Sequence, residues 1–211
     1  MKDLIIVGAG GFGREVLSYA HDIIEAGQSE WCIKGFINDL PNALDNFDVG
    51  YPILGSIKNH VVEKNSVYIC AIGDSKARLR IGLELQSKGA QFINLIHPET
   101  KFRERVKMGI GIIVCPGSGS SPDVTIGDFV MINTKVGIGH DCTIGKGVTI
   151  GPRAEITGNC HIADGVYIGA GAIIIPNRKI GTNAQIGAGA VIFTNVKPEK
   201  TMIGNPAQVL K

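Results

Sequence analysis

From Val124 to Asn195 the chain can be written in sixes with no insertion or deletion, and the third residue of every six is isoleucine. The twelve positions are Ile126, Ile132, Ile138, Ile144, Ile150, Ile156, Ile162, Ile168, Ile174, Ile180, Ile186 and Ile192. The residue two before each isoleucine is small or β-branched, with Arg178 the one departure, and the residue after it is mostly glycine. Upstream, Phe102, Met108 and Val114 keep the phase and Ser120 weakens it. A period of six fits neither a 3.6-residue helix nor an alternating strand. It fits a short strand plus a corner. Three such units make one triangular coil, and successive coils stack as parallel strands about 4.8 Å apart. The isoleucines then form three interior ladders of four rungs, and Gly and Asn at the corners supply turn conformations that other residues resist. Roughly sixteen hexads between residues 102 and 197 predict a little over five coils.

The composition divides where the repeat begins. Of 29 glycines, 18 follow residue 99, and of 12 aromatic residues eight precede it. A narrow prism interior has no room for rings. The boundary falls at His97-Pro98, so the chain reads as two domains, 1–97 and 98–211. At 44% hydrophobic and 19% charged residues the chain is not disordered. No run approaches the length of a membrane-spanning helix, and the start meets a glycine turn rather than a cleavage site, so neither membrane insertion nor a signal peptide is expected. A net charge of +2 gives no footprint for nucleic acid. Five cysteines without a C-x-x-C suit a reducing, cytoplasmic setting. Cys142 and Cys160, one coil apart at the small inward position, read as core. The absence of H-x-x-x-x-H argues against a metal site.

The first domain reads as α/β. Strands are expected at 3–7, 33–37, 67–72 and 92–96. Helices are expected at 14–27, with Val16, Leu17, Ala20, Ile23 and Ile24 inward, and at about 75–88, with Ala77, Ile81 and Leu85 inward. Alternating strands and helices imply a parallel sheet. Gly8-Ala9-Gly10-Gly11-Phe12-Gly13 matches G-x-G-x-x-G between a strand and a helix, where glycines let backbone amides approach a phosphate. Asp39, after the second strand, is placed to accept from a ribose or base edge. About 95 residues supply one mononucleotide half rather than a dinucleotide fold. A nucleoside diphosphate, such as a nucleotide-sugar, is therefore a more economical ligand than NAD.

Together the segments GAGGFG (8–13), Asn38-Asp39, AIGDSKAR (71–78), NLIHP (94–98), the hexads and the terminal IGNPAQVLK resemble the bacterial sugar acetyltransferases of the PglD and NeuD type over essentially the whole chain. The resemblance implies a Rossmann-like α/β domain followed by a left-handed parallel β-helix. It also implies a homotrimer, with acetyl-CoA between neighbouring β-helices, and a nucleotide-linked sugar on the N-terminal domain. By position it makes His140 the general base and Asp141 the acid that raises its basicity. Gly10, Gly11, Phe12, Asn38, Asp39 and Gly73 become nucleotide-sugar contacts, and Thr149, Ala170 and Ala188 acetyl-CoA contacts. The sequence departs from the PglD pattern at Phe12, where those enzymes carry histidine. It departs also at Asn38 for aspartate, Asp141 for glutamate and Thr149 for histidine. The implied reaction is N-acetylation of a nucleotide-linked amino-deoxy sugar in surface-glycan synthesis. Sugar O-acetylation, a non-catalytic nucleotide-binding scaffold and an NAD-dependent oxidoreductase stand as alternatives. His161 lies 21 residues after His140, out of step with the 18-residue coil, and reads as a surface residue. His97 reads as a satisfied junction residue, and Lys197, Lys200 and Lys211 as either a solvated tail or partners for the phosphates of CoA.

Overall fold

The computed structural model describes residues 1–210 and divides the chain into two compact units, Met1–Pro98 and a second beginning at Glu99. The first unit is a five-stranded parallel sheet with two helices. Its elements in chain order are β1 (Lys2–Val7), α1 (Gly11–Glu25), β2 (Trp31–Ile37), β3 (Ile53–Gly55), β4 (Ser66–Cys70), α2 (Ser75–Ser87) and β5 (Gln91–Phe92). The strand order is β3-β2-β1-β4-β5. Leu4, Ile5, Ile6 and Val7 of β1 are wholly buried, as a central parallel strand covered on both faces requires. On α1, Val16, Leu17, Ala20 and Ile23 face inward as the pattern predicts, whereas Ile24 is exposed.

Three local expectations are corrected. The short strand β3 carries no burial pattern that a sequence could display, because Leu54 and Gly55 are exposed. The segment expected as one strand at 92–96 is two, Gln91–Phe92 and Leu95–Ile96. On α2 the buried residues are Ser75, Arg78, Gly82 and Leu85 rather than Ala77, Ile81 and Leu85. The inner face is rotated so that an arginine, not an isoleucine, sits at its centre.

The second unit is a triangular β-solenoid. Its strands are two residues long for most of its length and pair in parallel with the strand one coil away. The register makes three ladders: Ile126–Ile144–Ile162–Ile180, Ile132–Ile150–Ile168–Ile186 and Ile138–Ile156–Ile174–Ile192. All twelve isoleucines are at most 3% exposed. We name the faces by these ladders: face D carries Ile144, face B carries Ile150 and face C carries Ile156.

The corners recur with the same period. From Arg105 to Gly189 every sixth residue has a positive φ, including Phe129, Lys135 and Arg153, which no preference for turn residues would nominate. The stacking enforces this conformation whatever the residue. The glycines that follow the isoleucines have a different cause. A Cβ on Gly151 would lie 2.7 Å from the Ala170 nitrogen, and one on Gly169 2.5 Å from the Ala188 nitrogen. They are glycine because the next coil's backbone is too close for a side chain.

The repeat ends earlier than expected. Ile180 pairs with Val196 and Ile186 with Met202, sixteen residues on instead of eighteen. Gln208–Val209 then turns back antiparallel on Met202–Ile203 and closes this end of the stack.

Adjacent residues on one strand should therefore respond very differently to truncation. Ile126→Ala, inside the ladder, should cost about 2–5 kcal/mol. Thr125→Ala, on the outer surface of the same strand, should stay within about 0.5 kcal/mol. Urea denaturation of the two variants checks the contrast.

Candidate functional site

The carboxyl edge of the parallel sheet brings together three segments distant in sequence. Between β1 and β4 the strand order reverses, and such a switch point opens a crevice at the strand ends. The glycine turn follows β1, Asn38-Asp39 follows β2 and Ala71–Asp74 follows β4. The glycines of the turn do different work. Gly8 has φ +101° and faces the Ala71 carbonyl and Ile72. A Cβ on Gly13 would lie 2.1 Å from the Gly8 oxygen, so this glycine lets α1 pack onto its own turn. A Cβ at Gly10 or Gly11 would meet nothing within 4 Å. Both residues are exposed at the N-terminus of a helix with no side-chain cap and no acidic residue in its first turn. That open, uncapped backbone suits an anion.

Asn38 ties this edge together. Its Oδ1 accepts from the Ala9 amide at 3.1 Å, and its Nδ2 donates to the Leu40 carbonyl at 2.8 Å. An aspartate here would keep the first bond and lose the second, which gives the Asn38 departure a structural sense. Asp39 is exposed and accepts from the Lys58 amide at 3.1 Å. Gly73 is exposed with open space around it, and Phe12 is half-buried. Near the turn, the Arg14 guanidinium stacks 3.6 Å above the Phe47 ring and holds the loop after β2 against α1.

The second constellation lies on the solenoid. His140 occupies the corner after Ile138, between faces C and D, and its Nδ1 lies 2.7 Å from Asp141 Oδ2. The two side chains are 65% and 60% exposed. Asp141 is itself the corner residue, with φ +57°, and its αL backbone turns the carboxylate back onto the preceding imidazole. Directly one coil on, Gly158 gives the imidazole its floor: a Cβ there would sit 2.5 Å from Nε2. Sequence reading missed Gly158, although the coil arithmetic that excluded His161 points to it, since it lies 18 residues after His140. The adjoining outer surface of face C is a groove of about 500 Å³ lined by Lys101, Arg103, Gly119, Gly137, Glu155 and Thr157.

The other nominated residues fall elsewhere. Ala170 and Ala188 are exposed on the corner between faces B and C, and Ala170 lines a hollow with Lys135, Arg153 and Gly171. Thr149 lies on face B and is only 1% exposed within the chain. Cys142 and Cys160 are buried, with the Cys160 amide donating to Cys142 Sγ at 3.5 Å. Hydrogen bonding to Cys160 and burial push the Cys142 thiol up, away from nucleophilic use. His97 is 6% exposed, bonded to Asp22 Oδ2 at 3.0 Å and edge-on to Tyr19. His161 is exposed on face D, stacked between Thr143 and Lys179. Lys197 and Lys200 are exposed, and Lys211 lies outside the described residues. Among the described residues no group of His, Cys, Asp and Glu side chains is placed to hold a metal ion, and no helix is long and apolar enough to cross a membrane.

A solenoid of hexads carrying an outward His–Asp pair, preceded by a parallel sheet with an open glycine turn, defines a hexapeptide-repeat transferase with an appended α/β domain. Residues 3–85 match the family described as PglD N-terminal domain, and residues 123–158 and 159–194 match bacterial transferase hexapeptide (six repeats). Among solved structures, WeeI from Acinetobacter baumannii AYE is 30% identical, with all of both chains covered and a TM-score of 0.87. The acetyltransferase domain of PglB from Neisseria gonorrhoeae FA1090, in complex with acetyl coenzyme A, is 28% identical over 99% of each chain, with a TM-score of 0.90. PerB from Caulobacter crescentus, in complex with CoA and GDP-perosamine, is 26% identical over 100% of this chain and 98% of that one, with a TM-score of 0.88. No curated protein sequence matches the chain. The chain belongs to the PglD-type family of hexapeptide-repeat sugar acetyltransferases.

The glycine turn makes a sharp pair of expectations. Gly13→Ala forces a Cβ onto the Gly8 carbonyl and should cost about 1–3 kcal/mol. Gly10→Ala, with an ordinary φ of −73° and empty space, should leave the melting temperature unchanged. Thermal denaturation followed by circular dichroism distinguishes them.

Proposed function

We propose that this protein transfers the acetyl group of acetyl-CoA to the amine of a nucleotide-linked amino-deoxy sugar, with His140 as general base. The observation that carries this reading is the His140–Asp141 pair, outward, hydrogen-bonded at 2.7 Å and seated over Gly158. Nδ1 is committed to the carboxylate, which leaves Nε2 as the nitrogen that meets substrate. As the sugar nitrogen attacks the thioester carbonyl, a C–N bond forms and its proton passes to Nε2. The Asp141 carboxylate stabilises the imidazolium that results. The C–S bond then breaks and the proton is returned to the departing thiolate. The mechanism asks of the site an oriented base, whose orientation the rigid corner supplies, and a hydrogen-bond donor for the tetrahedral oxyanion.

The open glycine turn is read as the seat of the nucleoside diphosphate. Gly10, Gly11 and Phe12 present backbone to it, and Asp39 and Gly73 flank it at the same sheet edge. The complexes of the relatives with CoA, acetyl coenzyme A and GDP-perosamine support this pair of ligands.

The placement of Ala170 and Ala188 supports an assembly. They mark one corner of the prism and His140 marks the next, separated by one face of roughly six residues, or about 15–20 Å. Either corner alone offers only one wall to a ligand, whereas a neighbouring copy can bring its own Ala170–Ala188 corner to His140. We read the functional unit as a homotrimer with acetyl-CoA held between adjacent solenoids along the Ala170–Ala188 corner.

A thiol-release assay with acetyl-CoA against UDP-, GDP- and dTDP-linked amino sugars, with free sialic acid as the hydroxyl acceptor, tests the reading. Turnover is expected with an amino sugar, and activity with sialic acid alone would overturn N-acetylation. His140→Ala should lower kcat about 10²–10⁴-fold, with activity recovering as pH rises towards the pKa of the sugar amine. A residual rate flat in pH would count against an amine acceptor.

A further inference from the structure

Arg78 is the largest fully buried side chain among the described residues, at 0% exposure, on the inner face of α2. A buried guanidinium is costly, and an apolar side chain of similar volume would fill the same space without that cost. Its position gives it a use. Nη1 donates to the Ile72 carbonyl at 3.0 Å and to the Gly73 carbonyl at 3.3 Å. These are the two central peptide oxygens of the turn that leaves β4 and enters α2. Burial lowers the Arg78 pKa to about 10, which keeps it protonated at neutral pH, and Asp74 helps to hold the charge.

A trans peptide fixes its N–H opposite its C=O. Drawing the Ile72 and Gly73 carbonyls down onto Arg78 therefore turns the amides of Gly73 and Asp74 the other way, out of the core. Gly73 is exposed and a Cβ added there would meet nothing within 4 Å, so the space beside this turn is open. The turn lies beside the glycine loop, since a Cβ on Gly8 would touch the Ala71 carbonyl at 3.1 Å and Ile72 at 3.2 Å. The Asp74 carboxylate is occupied locally, with Oδ1 accepting from the Ala77 amide at 2.7 Å.

We propose that Arg78 is a positioning residue for the nucleotide site: by holding two carbonyls inward it aims the Gly73 and Asp74 amides at an oxygen of the nucleoside diphosphate. Its buried charge adds a favourable potential from below the same turn. The inference rests on the nucleotide-sugar reading of this sheet edge and names how the β4–α2 side of that site is built.

The test uses the full chain, with binding of UDP, GDP and dTDP measured by calorimetry, and KM measured separately for nucleotide-sugar and acetyl-CoA. Wild-type protein is expected to bind at least one diphosphate, and binding of none would overturn the nucleotide reading and this inference with it. Given wild-type binding, Arg78→Met should weaken it at least tenfold and raise KM for the nucleotide-sugar, while KM for acetyl-CoA stays within twofold. Arg78→Lys retains the charge but not the fork, and should fall between the two. Should Arg78→Met fail to fold, Arg78→Lys carries the test, with at least a threefold loss of diphosphate affinity at an unchanged melting temperature. Unaltered diphosphate affinity in a folded variant, or equal losses for both substrates, would overturn the role of Arg78 and leave the nucleotide reading intact.

Discussion

The packing of isoleucine on isoleucine between successive coils is the constraint from which the rest of the solenoid follows. Each rung leaves room for one branched aliphatic side chain per face, and the chain must then turn within four residues to reach the next face. That spacing obliges every sixth residue to adopt αL, and where glycine follows the isoleucine it presses that backbone against the next coil. The exterior is thereby quantised. A residue's place in the hexad decides its face or corner, and multiples of 18 decide what lies beneath it. His140 stands over Gly158 for that reason alone. The His140–Asp141 geometry is an address in a lattice rather than a pocket assembled from loops.

The α/β unit solves a different problem by different means. Its carboxyl edge is shaped by backbone and by buried polar side chains, not by a repeating core. Gly8 and Gly13 are glycine because neighbouring backbone leaves no space, while Gly10 and Gly11 have space to spare. Asn38 and Arg78 then hold the flanking segments through main-chain hydrogen bonds. A surface of amides suits phosphate and ribose oxygens and is indifferent to much of the side-chain sequence.

How much was legible in the sequence depended on whether a residue's role was periodic. The ladders and their register followed from phase alone, because the isoleucine recurs in every hexad and a slip of one residue would replace most rungs with glycine in one direction or with polar and charged residues in the other. The two-residue deletion before Val196 escaped, since a shortened coil leaves no mark where the isoleucine pattern has already stopped. Within the α/β unit, the long amphipathic α1 was plain. The face of α2 was misjudged because Arg78 is hydrophilic by type and core by position, and hydrophobic spacing cannot see a guanidinium satisfied by carbonyls. β3 was missed because three half-exposed residues at a sheet edge have no period to show. Gly158 was within reach of the coil arithmetic, but only once the imidazole was known to lie back over the next rung.

The αL corner at Asp141 shows how a fold's obligation becomes a chemical opportunity. Ten non-glycine residues among those described have positive φ, nine of them at solenoid corners, so the strain itself marks no site. Glycine would relieve it at any of these corners. At position 141 the same backbone points a carboxylate at the residue before it, and that residue is histidine. At 159 it instead aims an asparagine amide at Asn177 one coil on, and at 123 an aspartate at Arg105 one coil back. The corner geometry is constant while the side-chain chemistry varies, so what separates a structural tie from the corner proposed here as a general base lies in two choices. One is an imidazole beside the corner, and the other is the absence of a side chain beneath it. The second matters as much as the first. Any Cβ at 158 would displace the ring that Asp141 orients, and the hydrogen bond at 2.7 Å would then fix the imidazole in the wrong place.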